Sequence, residues 1–254
     1  MGIFRVIAIL LSFLPLLALA QSEDTGFTAD RPGATNGIDV LPKGRLQWET
    51  GIGFERSKLD GPTTKTWTVN TSTLRWGFSD YAELRLQGDW LFDSCDSEHD
   101  SGLSNLAVGT KVKLFDGYKA IPTMALLAHV FIPGNSESTY LPEHWGGQVS
   151  LAFQNELSSR LSLGYEANLT WCEAARPTFF YGACLCFVLN DRWLLLAEEY
   201  NSNNSDGTES WVELGAAYML TNRLQLDMST DISLNYPHRF CNLNVGVSWQ
   251  ITRK

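Results

Sequence analysis

The sequence predicts an all-β protein, a closed antiparallel transmembrane β-barrel of about 12 strands, and three observations lead to this prediction. Residues 44–251 divide into stretches of roughly ten residues, the length of a strand that crosses an outer membrane. The connections between the stretches alternate between tight turns and longer polar loops. The clearest stretches also alternate apolar and polar side chains. Short periplasmic turns and longer extracellular loops are typical of bacterial outer-membrane barrels.

The N-terminal residues 1–20 have the pattern of a secretory signal peptide. Arg5 precedes an apolar run over residues 6–19, and the small residues Ala18 and Ala20 lie just before Gln21. The run is shorter than the roughly 20 residues that a membrane-spanning helix needs. We therefore expect export and cleavage of residues 1–20. Residues 21–43 are predicted to be a periplasmic N-terminal segment, and residues 44–254 to be the outer-membrane barrel.

The connections predict which end of the barrel faces which side of the membrane. Tight turns follow every second stretch, at residues 77–80, 115–118, 158–160, 190–192 and 221–223. The longer connections lie between them, at residues 57–63, 93–102, 133–145, 173–177, 201–210 and 234–238. An even number of strands leaves both chain termini in the periplasm.

Four stretches alternate most cleanly: residues 46–54, 82–90, 161–171 and 241–251. Successive side chains of a strand point to opposite faces, so each stretch has an apolar and a polar face. A soluble sandwich would give the same alternation. The asymmetry of the connections and the aromatic residues near strand ends favour a membrane barrel with two interfacial girdles. The predicted girdle residues are Trp48, Trp67, Trp76, Tyr81, Trp90, Trp171, Trp193, Trp211, Tyr218 and Trp249.

Three stretches are less regular. Residues 67–76 change phase near residues 71–73, which indicates either a β-bulge or an aromatic residue at the strand end. Residues 179–189 and 193–197 are apolar on both faces, so we expect part of the lumen to be packed there. The pattern leaves open whether Glu198 or Glu199 points inward.

The polar faces predict the residues that line the lumen and contact a permeating solute. They are Glu49, Glu83, Arg85, Gln87, Asp89, Lys111, Lys113, Glu156, Glu166, Asn168, Glu213, Gln225, Asp227, Asp231, Asn242 and Asn244. An isolated buried charge is costly, so charges of both signs in one tube are expected to pair. A lattice of ion pairs that stiffens the barrel and direct contact with solute are both compatible with this pattern.

Composition excludes several other classes of function. The net charge is −9 and no basic patch is present, so no nucleic-acid partner is predicted. Cys184 and Cys186 lie on one face of a predicted strand, but no histidine or further cysteine follows at ligand spacing. We expect this pair to pack in the wall, and we predict no metal and no cofactor. The odd count of 5 cysteines leaves at least one outside any disulfide.

Several segments resemble a bacterial outer-membrane transporter family named for phenol degradation. They are residues 27–33 (FTADRPG), 37–44 and 47–51 near the N-terminus, and residues 74–80, 83–86 and 221–227 further along. The likeness covers nearly all of the chain after residue 20. It implies an outer-membrane barrel that passes small, often aromatic or apolar compounds. Asp30, Arg31 and Pro32 would then lie before the first strand, either as a partial plug in the barrel mouth or as a capped turn that pins the terminus.

The favoured function is a channel in the bacterial outer membrane for passive, selective permeation of small solutes. The expected partners are outer-membrane lipid, a small-molecule solute and the barrel assembly machinery. That machinery reads a terminal aromatic residue in many barrels, whereas this chain continues past Trp249 to Lys254. We expect Trp249 to take this role.

Two alternatives remain. One is a structural or surface-recognition barrel without transport, in which residues 93–102 and 201–210 form the contact surface. The other is a lipase-like barrel enzyme, which needs a serine nucleophile beside a histidine base. His99, His144 and His238 lie in predicted loops, and no serine stands two residues after His129. The sequence therefore predicts that the protein is not an enzyme.

Overall fold

The computed structural model describes residues 26–58, 63–95, 98–134, 140–172, 176–205, 207–235 and 241–251. The predicted signal peptide lies outside these residues, as do residues 21–25 of the N-terminal segment. The described ranges include no helix that is long and apolar enough to cross a membrane.

Twelve β-strands form one closed antiparallel barrel, which confirms the predicted fold. Each strand pairs with the strands that precede and follow it in the chain, and β1 also pairs with β12. The strands are β1 Leu46–Lys58, β2 Thr63–Ser79, β3 Ala82–Cys95, β4 Glu98–Phe115, β5 Thr123–Phe131, β6 Gly146–Glu156, β7 Leu161–Trp171, β8 Thr178–Val188, β9 Trp193–Asn204, β10 Gly207–Thr221, β11 Leu224–Ser233 and β12 Cys241–Gln250.

The barrel closes where β1 meets β12. The register runs without a break from Gln47 opposite Gln250 to Arg56 opposite Cys241, and it places Gly51 opposite Gly246. A closed barrel leaves no unpaired strand edge, so every strand can satisfy its backbone groups within the wall.

Four of the five predicted tight turns are confirmed as short connections, whereas the fifth turn and two of the predicted longer loops differ from the prediction. The turns at residues 80–81, 157–160, 189–192 and 222–223 are short, while residues 116–122 form a longer connection with a bridge between Tyr118 and Ile121. The predicted loops 93–102 and 201–210 are wrong, because most of their residues are in strands. Asp93 pairs with Asp100, and Asn201 pairs with Ser210. Their polar composition suggests a loop, but the adjacent strand supplies a backbone partner for each of these residues.

The two faces of the wall have inverted polarity compared with a soluble protein. Leu84 and Leu86 on the outer face are 43% and 48% exposed, whereas Glu83 on the inner face is 0% exposed. Most predicted girdle residues lie on the outside. Trp211 is an exception and a correction: it shares the inward face of Glu213 and stacks on Tyr200, with ring centroids 6.2 Å apart. The predicted bulge near residues 71–73 is confirmed, since the β2–β3 register shifts between Val69 and Ser72.

Candidate permeation site

The N-terminal segment, residues 26–43, lies inside the barrel and is held by carboxylates of the wall. It has no regular secondary structure, so its backbone N–H groups need other partners. Glu49 on β1, Glu83 on β3, Glu166 on β7 and Glu198 on β9 accept these bonds. The N–H donors are Asp30 (3.3 Å to Glu49), Ala34 and Thr35 (3.0 and 2.8 Å to Glu198), Asn36 (2.6 Å to Glu166) and Leu41 (2.7 Å to Glu83). Strands on opposite sides of the lumen therefore anchor the same short segment.

Asp30 is the centre of a buried cluster of cations. Its carboxylate lies 2.6 Å from Arg85 Nη2, 2.7 Å from Lys111 Nζ and 3.8 Å from Arg75 Nη1. Burial alone would raise the pKa of Asp30, but the charges of Arg75, Lys111 and Arg85 lower that pKa well below its ordinary value. Asp30 is therefore held as an anion in contact with three strands of the wall.

Arg75 connects this cluster to two more acids. Its Nη1 lies 2.6 Å from Glu49 Oε1, and its Nε lies 2.8 Å from Glu83 Oε1. The Asp30 cluster then contains three cations, Arg75, Arg85 and Lys111, and three carboxylates, those of Asp30, Glu49 and Glu83. The charges balance, so each buried ion has a partner of opposite charge. Such pairing offsets part of the cost of removing the ions from water.

Arg31 extends from the segment to the seam of the barrel. Its Nε donates to Asp227 at 3.2 Å, and its Nη1 donates to Thr71 at 3.3 Å. The guanidinium lies over the facing glycines of the seam. A Cβ on Gly246 would lie 2.6 Å from Arg31 Cζ, and one on Gly51 would lie 2.6 Å from Arg31 Nη2. Only glycine at these two positions leaves space for the guanidinium. We call the space above Gly51 and Gly246 the Arg31 slot. The Arg31–Pro32 peptide bond is cis.

The structure places the other predicted site residues on the inner wall in separate groups. Gln87 and Asp89 are bridged by the Asn105 amide, Asn168 donates to Glu166, and Gln225 donates to the Arg31 carbonyl. Asp231 accepts from Tyr200, Asn242 and Asn244. Glu213 is buried opposite Glu198. At the end with the short turns, Glu156 accepts from Gln154, and Lys113 pairs with Asp116.

Sequence reasoning missed one central residue, Arg75, and left a second, Glu198, undecided. Arg75 lies in the stretch that changes phase, although counting back from the turn after Ser79 would have placed it inward. Glu198 points inward and holds the N-terminal segment, while Glu199 is exposed on the outer face. The neighbouring apolar residues of β9 conceal this alternation.

Two cavities meet at the N-terminal segment. The larger, of about 1090 Å³, opens toward the short turns. The smaller, of about 230 Å³, is lined by Thr71, Gln87 and other residues nearer the long connections. Residues that line both cavities are Asp30, Arg31, Thr35 and Asn36. The segment is thus the partition between the two halves of the lumen.

Strands β8–β10 give the lumen a less polar sector. In the larger cavity this sector contains two thiols, with the Cys184 and Cys186 sulfur atoms 3.5 Å apart, and the apolar residues Val188, Leu194, Leu196 and Met219. Beyond the partition, Phe180 stacks on Tyr200 and Tyr200 on Trp211, with centroids 5.9 and 6.2 Å apart. In the described part of the chain, no group of three or more His, Cys, Asp or Glu residues could hold a metal ion.

The half of the lumen nearer the long connections, which we call its outer half, is acidic. By strand register its inward-facing residues include the carboxylates Glu55, Asp89, Asp93, Asp100, Glu209, Glu213 and Asp231. Among the inward-facing strand residues that the structure describes in this half, none is lysine or arginine. Arg31 and Arg85 lie at the smaller cavity together with Asp89, and each of these two cations has a carboxylate partner, Asp227 and Asp30 respectively.

Comparison with known proteins supports both fold and family. An outer membrane channel from Pseudomonas putida F1 is similar over 87% of this chain and 99% of that chain, with 12% identity and a TM-score of 0.68. The β domain of the Bordetella autotransporter BrkA covers 81% and 98%, with 11% identity and a TM-score of 0.53. At such low identity these structures show the fold alone. No curated protein matches the chain. The model of one family, described as "Putative MetA-pathway of phenol degradation", matches residues 29–249. The chain therefore belongs to this family, and it has the fold of outer-membrane β-barrels.

Proposed function

We propose that this protein is a channel of the bacterial outer membrane through which small solutes pass passively and selectively. The observation that carries the proposal is a pair of cavities that have residues 30, 31, 35 and 36 of the N-terminal segment as a common wall. A twelve-stranded barrel is intermediate between side-chain-filled eight-stranded barrels and open sixteen-stranded porins. In this proposal residues 26–43 act as a partial plug that narrows the lumen to a selective route.

The less polar sector of β8–β10 supports aromatic or apolar solutes. The stacked rings of Phe180, Tyr200 and Trp211 lie on one side of the partition, and the apolar part of the larger cavity lies on the other. Between them Glu198 holds the backbone of residues 34–35 at 2.8–3.0 Å. We infer that a solute passes from the smaller cavity, which residues 33–36 line, across the Glu198 contact and into the apolar part of the larger cavity.

Solute flux into liposomes tests the channel directly. Purified protein, refolded into liposomes, is expected to admit a small aromatic cation that the bilayer itself excludes, such as phenyltrimethylammonium, faster than protein-free vesicles do and to exclude a trisaccharide such as raffinose. A heat-modifiability gel on the same sample establishes that the barrel is folded. Folded protein that leaves the vesicles sealed to both solutes would remove the channel proposal and favour a structural barrel.

The acidic outer half of the lumen predicts preference for cations over anions. Rings of carboxylates favour cations in pores, because they raise the local cation concentration. Under a salt gradient we expect a cation-selective reversal potential, which moves toward zero in the double variant Glu55→Gln/Asp93→Asn. Glu199→Gln is the matched control, since Glu199 is exposed on the outside of the same barrel. Equal shifts in both variants would show that the inward acids do not set the selectivity.

His99 and His129 give the enzyme alternative no support. Ser94 and His99 lie opposite each other on β3 and β4, but no hydrogen bond joins them and neither pairs with a carboxylate. His129 points into the lumen opposite Gln148 and Gly109. A lipase needs a histidine base within hydrogen-bond reach of its serine, and neither histidine meets this requirement. We therefore propose no catalytic activity.

A further inference from the structure

A row of hydrogen-bond donors crosses the outer face of β1–β4 near the ends of the long connections. Arg56 lies opposite Lys65, Lys65 opposite Ser94, and Ser94 opposite His99. Arg56, Lys65 and His99 are exposed. All four side chains can donate hydrogen bonds, and none is an acid. We call these four residues the donor row.

The donor row carries positive charge that no acidic side chain described in the structure balances. Arg56 and Lys65 face each other directly, an arrangement of like charges that destabilises a sheet. No ion pair involves Arg56, Lys65 or His99 within the ranges that the structure describes. The chain as a whole has a net charge of −9, so this concentration of cations is a local exception. An anion from outside the protein would relieve the repulsion.

An aromatic row lies one step further along the same face and indicates the depth in the membrane. Phe54, Trp67 and Phe92 are neighbours in register, and the centroids of the Phe54 and Trp67 rings are 4.6 Å apart. Trp67 and Phe92 are 47% and 45% exposed to the surroundings of the barrel. Aromatic side chains at the ends of barrel strands lie at the boundary between hydrocarbon and headgroups. The donor row, beyond that boundary, lies at the level of the headgroups.

We propose that the donor row binds the phosphate groups of a phosphorylated glycolipid in the outer leaflet of the membrane. The proposal rests on the outer-membrane location inferred above, with the long connections outside. Arginine can bind a phosphate through two parallel N–H···O hydrogen bonds, and lysine contributes a positive charge. Four adjacent strands span roughly 14 Å from the first to the fourth, which leaves room for more than one phosphate. The acyl chains of such a lipid would lie along Phe54, Trp67 and Phe92.

Native mass spectrometry of detergent-purified protein tests the proposal with three probes: diphosphoryl lipid A, monophosphoryl lipid A and inorganic phosphate. We expect wild type to retain diphosphoryl lipid A most strongly. The double variant Arg56→Gln/Lys65→Gln should lose at least about tenfold in affinity, because two charge-assisted phosphate contacts disappear. The matched control is Lys119→Gln/Arg160→Gln, which removes two exposed cations at the opposite end of the barrel and should bind like wild type.

Three results would overturn the proposal: unchanged lipid affinity in Arg56→Gln/Lys65→Gln, an equal loss in the control, or inorganic phosphate that binds as tightly as the lipid. The last result would show a free-anion site. Liposome flux of phenyltrimethylammonium in the same variants separates this inference from the channel proposal. Because the donor row lies outside the lumen, flux should not change when lipid binding is lost.

Discussion

Replacing Asp30 with asparagine is expected to increase solute flux through the reconstituted barrel several-fold. Asparagine keeps the shape of the side chain but leaves Arg85 and Lys111 without the carboxylate that now lies 2.6–2.7 Å from them. Removing one partner from a buried ion pair costs about 3–5 kcal/mol. The N-terminal segment loses its central contact with β3 and β4, so the partition between the two cavities should loosen. Single-channel conductance and liposome swelling measure the effect.

The matched control for Asp30 is another acid of the same segment. Asp39→Asn also removes one negative charge, but the Asp39 side chain is exposed, and the contacts of Arg75 and Lys111 are to its backbone carbonyl. We expect Asp39→Asn to conduct like wild type. If both variants conduct alike, the Asp30 cluster does not hold the route closed. The strand ladder is unchanged in both, so each should keep its heat-modifiable mobility.

Replacing Gly246 with alanine is expected to expel the Arg31 side chain from its slot at the seam. The three atoms closest to a Cβ at this position all belong to Arg31. The displaced guanidinium would leave Asp227, whose side chain is 0% exposed, without its ion pair. Crowding of this kind typically costs about 1–3 kcal/mol. We expect a lower unfolding temperature and higher, noisier conductance in planar bilayers.

An inward glycine with more room provides the comparison for Gly246. A Cβ on Gly164 would approach no atom closer than 3.9 Å, so Gly164→Ala should behave like wild type in both measurements. The double variant Arg31→Ala/Gly246→Ala should be no worse than Arg31→Ala alone, because the clash needs both side chains. An additional loss in the double variant would mean that the methyl group disturbs the strand pairing itself.

The sequence predicts the barrel well because its signals are local. A turn after Ser79 or near Asn222 fixes the phase of the next strand, and alternation then assigns each side chain to a face. The prediction fails where that phase is interrupted. Arg75 follows a bulge, Glu198 follows a run that is apolar on both faces, and Trp211 resembles a girdle residue although it faces inward.

The partners within the lumen cannot be found in this way. Lys111 meets Asp30 across 81 positions of the chain, and Arg31 meets Asp227 across 196. Such contacts depend on the register of the whole barrel and on the path of a segment without secondary structure. The sequence therefore identifies the charged residues and the motif that contains Asp30 and Arg31, but which acid meets which base is a property of the assembled structure.

The Arg31 slot has a consequence for the order of events in biogenesis. Its floor is formed jointly by the earliest and the latest strand to leave the ribosome, because Gly51 belongs to β1 and Gly246 to β12. Arg31 and its neighbours near the N-terminus can therefore dock only after the C-terminal strand is in place. The lumen of a partly inserted barrel is therefore empty, and the N-terminal segment occupies it only after β12 has paired with β1.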